Sequence, residues 1–174
     1  MIALTACSSE PEQEQEMAND TPLSRESSSS SIPGKAAGAP TASPTPFVAG
    51  AWELLSSGEG DGLAFTPGAG ESAIVHVFCP AGGGLTVNVK AFRPIGSEER
   101  MSLGSGATVV ALVADVKGDA LRGGVSATGP VPGELRSVLE GASGVSVSYG
   151  AQSAGPLPPV PMQTAQNFVM GCND

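Results

Sequence analysis

Between Leu85 and Ala91 the chain reads LTVNVKA: Leu85, Val87, Val89 and Ala91 fall on one side of an extended backbone, Thr86, Asn88 and Lys90 on the other. Alternation with period two marks a strand with one buried face. The same rhythm in GVSVSYG (144–150) points Val145, Val147 and Tyr149 inward and Ser146 and Ser148 outward. ESAIVHVFC (71–79) is rich in β-branched residues and predicts a strand. The PAGGG that follows, Pro80 to Gly84, is turn chemistry, so this strand and LTVNVKA form a predicted hairpin. ATVVALVAD (107–115) is apolar at almost every position, which predicts a central strand buried on both faces.

Helical spacing comes late in the chain. PGELRSVLEGA (132–142) sets Leu135, Val138 and Leu139 at i, i+3, i+4, with Pro132 near its start and Gly141 near its end. MQTAQNFVMGC (162–172) sets Ala165, Val169 and Cys172 on one stripe. Between them GPLPPVP is too rich in proline for a helix or inner strand and is predicted to run over the surface. Trp52, in FVAGAWELL, opens the folded part, and no internal repeat is evident. The expectation is a mainly β or α+β domain over residues 47–174: a small antiparallel sheet with one or two short helices towards the C-terminus.

Before Phe47 the composition changes. Residues 8–46 contain SEPEQEQE, SRESSSSS and APTASPTP, with almost no aromatic or β-branched side chains. Such a stretch buries too little apolar surface to offset the entropy of ordering it, which predicts a disordered acidic, Ser- and Pro-rich tether. Its Gaussian reach is about 30–40 Å.

At the head of that tether stands LTAC, Leu4 to Cys7. It resembles the lipobox of bacterial lipoproteins, in which an aliphatic residue and two small residues precede the cysteine that is acylated. The resemblance covers these four residues and the style of the tether, and is silent on the domain. It implies that Leu4, Thr5 and Ala6 are recognised by signal peptidase II and that Cys7 carries the lipid. Residues 1–7 would then be the remnant of a signal peptide. Met1-Ile2-Ala3 supplies neither a basic n-region nor an apolar h-region of about 7–15 residues, so this reading expects the true start upstream. Ser8 after the cysteine fits the family's sorting to the outer membrane of a Gram-negative cell. The competing reading is an ordinary free cysteine in a cytoplasmic chain.

Charge narrows the partners. The net charge of −9 lacks the clustered Lys and Arg of a nucleic-acid footprint, and it opposes docking on anionic lipid. No apolar run approaches the roughly 18 residues of a membrane span, so membrane contact rests on acyl chains, at about 0.8 kcal/mol per buried CH₂. With Cys7 acylated, Cys79 and Cys172 remain as an even pair, and in an oxidising compartment such a pair forms a disulfide. In a cytoplasmic chain they stay separate buried thiols.

Catalytic signals are sparse. His76, the single histidine, lies in IVHVF beside Ile74 and Phe78 and reads as a semi-buried sheet histidine rather than a triad base. Ser105 sits in Gly104-Ser105-Gly106, a turn without the spacing of a nucleophile elbow. One His and no Cys-x-x-Cys leave no metal site with usual spacing, and no cofactor motif is present. AGGGL and RGGVSATG lack the phosphate-cradle pattern and read as turns; SEERM (97–101) reads as a solvated turn. Tyr149 and Gln152 in YGAQSAGP stand as a possible recognition loop, against Tyr149 as core. Arg93, Arg100 and Arg122 are candidates for an anion patch. The function expected is a non-enzymatic binding or assembly module facing the periplasm, meeting an envelope protein or cell-wall partner. The alternatives are a small envelope hydrolase, with paired carboxylates, or an inhibitor of cell-wall lytic enzymes.

Overall fold

The structure is a computed structural model and describes residues 46–173. The lipobox-like Leu4–Cys7 and all of the tether before Pro46 lie outside the described residues. Nine strands are present among the described residues: β1 Ala51–Ser57, β2 Gly60–Thr66, β3 Val75–Pro80, β4 Leu85–Val89, β5 Arg100–Ser105, β6 Thr108–Ala114, β7 Val125–Gly129, β8 Val145–Tyr149 and β9 Gln152–Leu157. They form one sheet in the order β1-β2-β3-β4-β7-β6-β5-β8-β9, every pairing antiparallel. Two helices are present among the described residues, α1 Leu135–Leu139 between β7 and β8 and α2 Met162–Gly171 after β9. The domain is mainly β.

One face of the sheet makes the core. Leu63, Val77, Val87, Ala127 and Ala114 stand in direct register across β2, β3, β4, β7 and β6, all buried. A second row joins Leu112, Met101 and Tyr149 across β6, β5 and β8. Both helices cover this face: α1 packs on β5 and β6 through Leu135, Val138 and Leu139, and α2 packs on β1 and β2. At one end the two edges meet: the Val48 amide donates to the Pro156 carbonyl at 2.8 Å, and the Trp52 indole donates to the Pro158 carbonyl at 2.8 Å.

The Cys79–Cys172 disulfide ties the end of β3 to the C-terminus of α2, with Cα atoms 5.1 Å apart. It closes a loop across a sequence separation of 93 residues. In the chain-entropy picture a loop of that order contributes about 4–5 kcal/mol by restricting the unfolded chain. For a core with so few aromatic side chains that is a large share of the few kcal/mol by which domains are stable.

Several expectations are corrected. β6 is central in the sheet but buried on one face only: Val109 and Val113 are 56% and 67% exposed, and Ala111 is exposed between them. Its outward valines reflect the strand preference of branched side chains, not a second covering layer. GPLPPVP does not simply cross the surface, since Gly155 to Leu157 belong to β9, an edge strand that tolerates Pro156. Leu157 and Val160 are buried. In SEERM, Arg100 and Met101 already belong to β5 and Met101 is buried; RGGVSATG contributes β7 rather than turns alone. The first helix is half the length expected, and α2 buries Ala165 and Phe168, with Val169 half-buried beside them.

Candidate functional site

The recognition loop expected at Tyr149 and Gln152 is an internal brace. Tyr149 is fully buried at the end of β8 and stacks on Phe92 at 6.2 Å between ring centroids. Its hydroxyl accepts the Ile95 amide and donates to the Ile95 carbonyl, both at 3.0 Å. Gln152 does the same for Arg93, accepting its amide at 2.7 Å and donating to its carbonyl at 2.8 Å. Both side chains spend their polar groups pinning residues 93–95, the crossing from β4 to β5, onto the sheet.

The outer face of the sheet, opposite the helices, carries the more reactive groups. Ala64, His76, Asn88 and Ser126 stand side by side across β2, β3, β4 and β7. Residues 115–124 fold against the end of that row as a loop. Asp119 organises it: its carboxylate accepts the Ser126 hydroxyl at 2.6 Å, the Arg122 amide at 2.8 Å and the Leu121 amide at 3.0 Å. The Ser126 hydroxyl above all, then these backbone donors, hold the Asp119 carboxyl down to about 2 from its ordinary 3.8. Asn88 donates to the Gly123 carbonyl and to Ser126, both at 3.0 Å, fixing the loop to β4. Gly124, at φ +71°, lies so close to the Val89 carbonyl that a side chain would collide with it. The result is a rigid loop whose tip presents Leu121, 94% exposed, next to Arg122.

Between this loop and the β1–β2 hairpin lies a cleft of about 210 Å³. Leu55 and Phe78 give it apolar walls, Ser56, Ser57 and Glu59 a polar rim, and His76 and Arg122 its basic side. His76 is half-buried, as a sheet histidine should be. Desolvation lowers its pKa below 6.5, and Lys90 and Arg122 lower it further, against a raising hydrogen bond to the Ala73 backbone. The imidazole is therefore neutral at pH 7. Ser105 lies inward, buried between β5 and Gly141, on the opposite face of the sheet from His76. The two do not meet.

Of the three arginines considered for an anion patch, only Arg122 lines this cleft; Arg93 and Arg100 stand at the two ends of the β4–β5 crossing. The cleft joins residues from three separate parts of the chain, so sequence reasoning had no local pattern to find. One signal was available: Asp119 ahead of Arg122-Gly123-Gly124 is a side-chain-capped turn. Comparison with protein-family models, with curated proteins and with solved structures finds no match to this chain.

Proposed function

We propose that this protein is a lipid-anchored binding module of the bacterial envelope, held through Cys7 and reaching a partner with the outer face of its domain. The observation that carries the binding role is the Asp119-braced loop, which fixes an almost fully exposed Leu121 beside Arg122. Arginine is enriched at interface hot spots, and a preorganised loop that sets it beside an exposed apolar side chain leaves little entropy to be lost on binding. The lipobox-like LTAC and the tether support the address, and the disulfide suits an oxidising compartment. An acylated Cys7 would raise the local concentration of the loop near the membrane.

The test is a photoreactive residue placed at position 121 in the full chain, in its native host. The reading predicts one dominant cross-linked adduct in the membrane fraction, weakened several-fold when Arg122 is also changed to Gln. No adduct at position 121, or a diffuse ladder equal to that from a probe at exposed Ser153, would remove the binding role.

A further inference from the structure

We propose that the cleft beside His76 binds a small monoanionic carboxylate with an apolar body, the carboxylate on Arg122 and the body against Leu55 and Phe78. The inference goes beyond the anchor, since the cleft would act this way on or off a membrane. At about 210 Å³ the cleft is smaller than the roughly 300–1,000 Å³ of drug-sized pockets and suits a small ligand.

The charge arrangement selects the ligand. Among the described residues Arg122 has one charged partner, Asp119, at 3.4 Å, and that carboxylate already accepts three shorter hydrogen bonds. The guanidinium is half-exposed, so most of its five donors remain for a ligand. A planar fork of donors suits a carboxylate. His76, neutral at pH 7 with its one N–H engaged by the Ala73 backbone, gains a second donor for the anion only when it is protonated. Glu59 stands on the rim of the same cleft and repels a second negative charge, which disfavours phosphate dianions. Leu55, 48% exposed, and Phe78 offer apolar contact that a simple inorganic ion cannot use.

His76 is the only histidine, so its ring protons report the site without ambiguity in an NMR titration of the full chain. The charges acting on it are Lys90, just past the end of β4, and Arg122 from the loop, with Glu59 lining the same cleft and Glu53 on the outer side of β1. Isovalerate supplies the carboxylate and a branched body; isovaleramide is its uncharged isostere, acetate lacks the body, and inorganic phosphate lacks the body and carries more charge. The expected result is a saturable shift with isovalerate at millimolar concentration, at least fivefold weaker with each of the other three. Bound anion should raise the His76 pKa, so affinity tightens about threefold as His76 becomes protonated. Arg122→Gln should abolish the shift, and Leu55→Ser should weaken it, with the unliganded spectrum otherwise kept. No saturable shift up to about 100 mM, an undiminished shift in Arg122→Gln, or tighter binding of phosphate than isovalerate would each overturn the proposal.

Discussion

Asp119 shows how much one carboxylate can organise. Three donors converge on it within seven residues of sequence, so the loop is built locally and only then fastened to β4 by Asn88. Its folded pKa lies below the unfolded one, so its contribution is complete above about pH 4 and is lost as pH falls towards about 2. The carboxyl carbon of Asp119 should titrate by NMR with a midpoint near 2, and a midpoint at 3.8 would contradict the bonding described. Hydrogen bonds to a charged group are worth about 1.5–3 kcal/mol each before solvent screening. Asp119→Asn should therefore cost roughly 1–2 kcal/mol in urea unfolding, less than the sum because the amide oxygen still accepts. His76 was legible as a sheet histidine from the alternation around it. Its neighbour Arg122 was not, because 46 residues of chain separate them and only the loop's return brings them to one cleft.

At the scale of the element, alternation was readable where the outward residues are polar. β4 and β8 carry Thr86, Asn88, Ser146 and Ser148 on the outer side as the pattern has it, although Asn88 is buried there, bonded to the 115–124 loop, and Ala91, past the end of β4, is exposed. β2 and β7 were missed because Gly60, Gly62, Ser126 and Gly129 look like turn residues, while only Leu63, Phe65, Val125 and Ala127 supply an inward side. Their strand character comes from neighbours already in the sheet. β6 failed in the other direction, since its outward valines imitate a doubly buried strand. The two faces should separate under mutation. Val113→Thr on the outer face should change stability by less than about 0.5 kcal/mol, whereas Leu112→Ala should cost about 2–5 kcal/mol, as deletion of buried methyl groups does. Equal costs in thermal or urea unfolding would mean that something covers the outer face.

For the molecule as a whole, the sheet meets its own edges through Val48 and Trp52, and the disulfide locks the last helix to the third strand. Replacing Cys79 and Cys172 together by Ser should lower stability by about 2–5 kcal/mol and should leave the strand content unchanged under native conditions. A loss below about 1 kcal/mol would show that the bridge is ornamental. The cysteine pair was legible from parity once Cys7 was set aside, and the structure shows the bridge itself, whereas the anchor is an inference from LTAC alone. That inference is tested directly by taking the membrane fraction of the native host and weighing the tryptic fragment that contains Cys7 and ends at Arg25. A fragment beginning at Cys7 and carrying acyl chains is the predicted result. An unmodified Cys7 fragment, recovered from the soluble fraction, would contradict the anchor and the envelope address together.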